Sequence, residues 1–218
     1  YNVWVTVIAE NESAIQTVVD QVCSQTDLHD VHVLTATKKY KINTVMGKGA
    51  GTPSKNVFAS AVRQSPENAL TEAARTRIHI ACDDIPHTLT PFKDWGVSCD
   101  ELREDLAAKR MRRFGAILRH QDAGFPCNAM VCFMLDEGTL ANSESAGSLL
   151  AKKHYVSHCY ERPSFENFPY NLYAMMHAQT PEELNGYIKE SVALLDNPEY
   201  VVLHSLKELK KTSFRFFA

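Results

Sequence analysis

The two ends of this chain repeat one another. Tyr1-Asn2-Val3-Trp4 aligns with Tyr170-Asn171-Leu172-Tyr173, and without gaps Val31–Thr37 falls on Tyr200–Leu206, Lys38 on Lys207 and Lys41 on Lys210, at a constant offset of 169. An internal repeat constrains a fold more than any local pattern. At the C-terminal end the hydrophobic periodicity predicts strand over 128–135, helix over 140–153, strand over 156–161, strand over 170–178, helix over 181–195 and strand over 200–206, a βαββαβ order. The N-terminal copy holds only a strand over 1–10, a helix opened by Asn11-Glu12-Ser13 with Ile15, Val18, Val19 and Val22 on one face, and extended chain over 31–46. Residues 1–46 are therefore expected to be the second half of a module whose complete copy occupies 125–218. Half of a four-stranded sheet leaves an open edge and a bare apolar face. The missing half is expected from a preceding segment or a companion chain.

Between the copies, three Gly and one Pro within Gly47–Pro53 mark a linker, placed at 47–67. Residues 68–124 read as a helix-turn-helix domain: one segment holding Leu70 and Ile78–Ile80, a short one over 91–95, then Ser98-Cys99-Asp100-Glu101 as a capping box leading to Leu102 and Leu106. Arg113 to Leu118 would be its wing. A DNA reader places cations or amides at the start of its recognition helix. Here Asp100, Glu101, Glu104 and Asp105 surround a lone Arg103, and 23 Lys+Arg against 26 Asp+Glu leave no basic surplus, so no nucleic-acid partner is expected. No apolar run approaches a membrane span. The six cysteines form no CxxC pair and read as reduced thiols of a cytoplasmic protein.

Two clusters stand out as chemistry. Lys109, Arg110, Arg112 and Arg113 precede the apolar Phe114–Leu118, expected as a buried strand anchoring Arg113 and Arg119 at its ends, with His120 just beyond. A charge run is usually a solvated face, but His120 enters a Gly-containing turn, where site residues concentrate. In the second cluster, period two places His158, Tyr160 and Arg162 on one face of their strand, and Asn171, Tyr173, Met175 and His177 on one face of the next. Imidazoles and guanidinium among aromatic and Met side chains suit a broad flat ligand with carboxylates at its rim. Neither HExxH, paired Cys nor GxSxG occurs, so no closed metal site or nucleophile elbow is suggested.

Arg112–His120 with Gly124-Phe125 and Asn128–Val131, then Val156–Pro163, then Phe168–Leu172, resemble the sirohaem decarboxylases, relatives of the Lrp/AsnC transcription regulators. The resemblance implies an α+β fold: ferredoxin-like AsnC-type modules plus a winged helix-turn-helix domain, assembled as a dimer of modules. It implies a carbon–carbon lyase that removes carbon dioxide from the acetates on rings C and D of sirohaem, giving didecarboxysirohaem on a route to haem or haem d1. No added cofactor is implied, because the iron arrives with the substrate. On this resemblance His120 and His177 are the catalytic acids, in that order. Arg112, Arg113, Arg119, His158, Tyr160, Arg162, Tyr170 and Asn171 bind the substrate, with His158 as support or as an axial iron ligand. An Lrp/AsnC-type DNA-binding or ligand-sensing regulator is the alternative from another class, and a tetrapyrrole chaperone or sensor without turnover is a third.

Overall fold

The computed structural model describes residues 3–42, 70–111, 114, 122–141, 145–207, 209–210 and 215–216. Cys127–Phe133 forms β2, Val156–Glu161 β3, Leu172–Ala178 β4 and Tyr200–His204 β5. Between them lie the short helices α5 (Glu137–Ala141) and α6 (Ala146–Ala151), and then α7 (Pro181–Leu194), which Thr180 caps by accepting from the Glu183 amide with Pro181 in its first turn. The expected βαββαβ order is present. A fifth strand, β1 (Lys38–Ile42), extends the sheet, whose order is β1-β3-β4-β2-β5 with every pairing antiparallel.

Alternation along the strands sorts their side chains onto two faces. Ala129, Val131 and Phe133 of β2, with Leu172, Ala174 and Met176 of β4, are fully buried beneath α6 and α7, where they meet Leu150, Leu184 and Ile188. Burial of this apolar face supplies the main driving force for the unit. The second face carries Cys132, Tyr173, Met130, Val201 and Leu203, which gather with Phe168, Tyr170 and Leu34 into a separate cluster.

The expected helix over 140–153 is two helices instead. Ser145 sits at φ −56 and ψ 150, outside the helical region, so the chain restarts there as α6. Gly147 in α6 is required by a close approach: a Cβ at this position would run into the ring of Tyr40 on β1. That packing, and the bond from the Tyr40 hydroxyl to Glu161, fix where the N-terminal segment joins the sheet. Extended chain was expected over 31–46, with the repeat's strand near 31–37; the paired segment is 38–42, where Tyr40 packs against Gly147. Residues 3–9 pair with no strand among the described residues, whereas a strand was expected over 1–10. Helix α1 (Glu12–Thr26) forms as predicted, with Asn11 accepting from the Ala14 amide at 2.9 Å, yet none of its residues is buried.

Three short helices follow: α2 (Glu72–Ile80), α3 (Pro91–Trp95) and α4 (Cys99–Ala107). Trp95, Val97 and Leu102 form their core with Ile80, Ile85, Phe92 and Met111 around it. Gly96 at φ 80 makes the turn between α3 and α4, and the Ser98–Glu101 capping box is present in both directions. The inner face of α4 carries Asp105, only 1% exposed. Arg77 grips it with two nitrogens at 2.8 and 2.9 Å, and Arg110 adds a third bond at 2.6 Å. These charges hold the carboxyl down at a pKa of about 2, the Arg77 bonds contributing most. Phe114, expected inside a buried strand, is 44% exposed beside Phe92 and Trp95; residues 115–118 and the rest of the expected wing lie outside the described residues.

Candidate active site

The sheet's second face is the one on which the sequence gathers its chemistry. His158, Tyr160 and Arg162 do share a face of β3 and its extension, and Tyr173, Met175 and His177 share a face of β4, with Met175 opposite His158 and Tyr173 opposite Tyr160. Asn128 and Met130 of β2 stand opposite His177 and Met175 on the other side. None of these side chains is fully exposed to water. The face is thus a half-buried floor of imidazole, phenol, thioether and guanidinium.

A register shift between Val156 and His158 places Ser157 out of the regular ladder. Its hydroxyl lies 2.9 Å from His158 Nδ1 and 2.9 Å from His177 Nε2, which ties the two strands' histidines together. The His158 ring stacks near Tyr160 at 6.1 Å between centroids and 23° between planes. Arg162 lies over two phenol rings, 5.3 Å from Tyr160 and 5.7 Å from Tyr173, a cation–π arrangement that orders the guanidinium with no carboxylate paired to it among the described residues. One of its nitrogens also donates to the Leu34 carbonyl, so the N-terminal segment is pinned to this face.

Deeper in, the Tyr173 hydroxyl donates to the Tyr170 carbonyl at 3.0 Å, and burial pushes the phenol well above its ordinary pKa. Burial likewise pushes the Cys132 thiol up to about 12, which makes it an inert packing group on this face. Trp4 packs edge-on against Phe168 and Tyr173, at 6.0 and 6.4 Å, and His32 lies 4.3 Å from Phe165. The N-terminal segment therefore meets this face at Trp4 and Leu34, with His32 beside Phe165.

Of the residues singled out in the sequence, His158, Tyr160, Arg162 and His177 are brought together. Tyr170 lies at the margin, in edge contact with Phe168 at 4.9 Å. Asn171 takes a structural role: its amide oxygen accepts from the Leu135 amide at 3.0 Å and its amide nitrogen donates to the Leu135 carbonyl at 2.7 Å. Arg112, Arg113, Arg119 and His120 lie outside the described residues. Ser157, Trp4 and Leu34 carried no sequence signal as site residues, since Ser157 enters through a bulge and the other two through tertiary contact. Among the described residues no group of three or more His, Cys, Asp and Glu is placed to hold a metal ion.

Residues 122–210 match the AsnC-like ligand-binding domain, so the unit with this floor is of the AsnC class. The chain is 37% identical over 159 residues to the siroheme decarboxylase beta subunit of Oleidesulfovibrio alaskensis, an alignment covering 67% of this chain and 97% of that one. It therefore belongs to the siroheme decarboxylase family. Along its whole length it is 29% identical to the siroheme decarboxylase of Hydrogenobacter thermophilus, of which it spans 66%. The crystal structure of the siroheme decarboxylase NirDL in co-complex with an iron-uroporphyrin III analogue superposes with a TM-score of 0.59 at 25% identity, over 97% of this chain and 60% of that chain. The relatives' activity is a decarboxylation, that of a lyase.

Proposed function

We propose that this chain is the decarboxylating part of a two-module enzyme that acts on sirohaem, removing the acetate carboxylates of rings C and D to leave methyl groups. The observation that carries this reading is the floor built from His158, Tyr160, Arg162, Tyr173, Met175 and His177 in a chain of this family. Sirohaem is a flat macrocycle rimmed by carboxylates, so its recognition needs apolar and aromatic area together with cations. Arg162 supplies a guanidinium already oriented by two rings, and Arg112, Arg113 and Arg119 are the further forks offered by the sequence.

Loss of carbon dioxide leaves the bonding pair on the methylene carbon, where the conjugated ring accepts it. A proton then completes the methyl group. No electrons pass to an outside acceptor, so the protein has to bind, orient and protonate. The iron comes with the substrate. Imidazole is the side chain suited to give that proton near neutral pH. His120 and His177 are assigned this role, and His158 supports His177 through Ser157 or meets the iron axially.

Residues 3–42 act as the companion half-module, completed by a further segment or subunit. Support comes from α1, which buries none of its residues, and from β1, which adds to the complete unit's sheet instead of forming its own. A role in DNA binding is weaker. Of the four carboxylates on α4, Asp105 is buried between Arg77 and Arg110, Glu101 caps the helix, and Asp100 and Glu104 are surface groups paired with Arg103 and Arg110, so the nearby arginines are engaged by the protein's own carboxylates. No helix among the described residues is long and apolar enough to cross a membrane, and the cytoplasm is the proposed compartment.

The decisive experiment is anaerobic incubation of the protein with sirohaem, followed by mass measurement. Loss of two carbon dioxide units is expected; a bound but unchanged tetrapyrrole would instead establish a carrier or sensor. His120→Ala is expected to lower turnover at least about a hundredfold with binding retained.

A further inference from the structure

The N-terminal segment grips the complete unit on both faces of one sheet edge. In the pairing of β1 with β3, Lys39 stands opposite Tyr160 and Lys41 opposite Cys159, so Tyr40 is the extra residue of a bulge. A bulge re-aims its side chain. The Tyr40 ring leaves the ladder for the helix-covered face, where it fills the space that a Cβ at Gly147 would need and packs on the main apolar core. Its hydroxyl donates to Glu161, and burial raises the phenol above its ordinary pKa, so the donor proton is kept. Earlier in the same segment Leu34 lies on the opposite face, packed with Cys132, Phe168 and Tyr173.

Two further bonds flank the Tyr40 seat. The Thr37 amide donates to the Glu161 carbonyl at 3.0 Å, and Lys41 Nζ donates to the Lys153 carbonyl at 2.7 Å. With the chain fixed from Thr37 to Lys41, the Leu34 carbonyl arrives at the Arg162 guanidinium and accepts from it. The two phenol rings attract the charge of Arg162 but set no direction for its donors within the plane over them. A hydrogen bond to a fixed carbonyl sets that direction. One carbonyl takes only part of the guanidinium's fork, and the remaining donors stay for a carboxylate.

We propose that Tyr40 is a positioning residue for ligand binding: seated on Gly147, it docks the N-terminal segment on the β3 edge and so presents the Leu34 carbonyl that orients Arg162 toward a carboxylate of the tetrapyrrole. The inference rests on the reading of the floor as the sirohaem site. Tyr40 lies on the opposite face and acts only through Arg162. A guanidinium oriented in advance spares the ligand the cost of immobilising a flexible side chain, worth roughly three- to tenfold in affinity. The complete unit therefore holds its anion site ready only while the N-terminal segment is docked.

Two variants test it from the two sides of the contact. Gly147 has no left-handed backbone, so Gly147→Ala suits α6 while its Cβ expels the Tyr40 ring, and Tyr40→Ala removes the ring itself. In hydrogen–deuterium exchange both should release residues 37–42 while β2 and β4 keep their protection. Absorbance titration should show affinity for an iron-uroporphyrin lowered roughly three- to tenfold in both. In an Arg162→Ala background the same changes should cost nothing more, because docking acts through that guanidinium. A loss there as large as in the wild-type background overturns the proposal, as do residues 37–42 still protected in both variants, their release with affinity unchanged, or loss of protection in β2 and β4 as well. With arginine labelled with nitrogen-15, the Arg162 side-chain signal should be resolved and slow to exchange in the wild type and averaged in the variants. Should the wild type bind no iron-uroporphyrin, the reading of the floor fails, and that signal still decides whether β1 orders Arg162.

Discussion

The helical region at 72–111 and the sheet floor both hold arginine, and they use it in opposite ways. In the helices every guanidinium that reaches inward meets a carboxylate: Arg77 and Arg110 close on buried Asp105, and Arg110 also takes Glu104. On the floor Arg162 is held by two phenol rings and a backbone carbonyl. A cation neutralised by its own protein has no charge left for a ligand. One ordered by aromatic faces keeps its charge and has already lost its rotamer freedom, so an anion meets it at low entropic cost. The comparison teaches that cation density does not mark a site; what the cations are paired with does.

The largest expected effect breaks the helical side of this comparison. Asp105→Ala leaves two guanidiniums facing a buried gap and should cost about 3–5 kcal/mol in urea unfolding. A cost under about 1 kcal/mol would show that the pairs behave like solvated surface bridges. On the floor, Arg162→Ala should weaken binding of an iron-uroporphyrin roughly tenfold or more, read by absorbance titration. Arg162→Lys should recover only part, since an ammonium can neither fork nor stack as well. Equal affinity in all three proteins would remove Arg162 from the anion site.

Acid sharpens the contrast. Asp105 has its folded pKa depressed from 3.8 to about 2, so its stabilisation is complete above the unfolded value and is lost as pH falls from there through about 2. The loss should be about 2 kcal/mol across that window. Wild-type melting temperature should fall there more steeply than that of Asp105→Asn, and parallel curves would refute the assignment. The smallest effect belongs to the helix start, where Ser98→Ala removes one half of the capping box and should cost about 1 kcal/mol by thermal melting.

Much of this was legible from residue order. Strand 156–161 coincides with β3, the Ser98–Glu101 signature caps α4, and the period-two reading of His158, Tyr160 and Arg162 against Tyr173, Met175 and His177 matches the observed face. Alternation survives because a one-residue slip would turn the whole apolar set toward water. The misreadings share another cause. Within the extended chain expected over 31–46 the strand lies at 38–42 and not at the 31–37 that the repeat indicates, the helix expected over 140–153 breaks at Ser145, and Asn171 braces Leu135 instead of facing the floor. Each depends on a partner more than thirty residues away or on one backbone angle, neither of which periodicity contains.

The order of residues by itself determined the βαββαβ unit and which side chains would share a sheet face, because these follow from period, caps and burial preference. Only the tertiary structure decided how those side chains are engaged. It set Ser157 between two histidines through a bulge, laid Arg162 across Tyr160 and Tyr173, and brought Trp4 and Leu34 over the floor from a segment more than a hundred residues away. Contacts of that separation depend on the register and twist of strands already paired, and so they exist only once the sheet has formed.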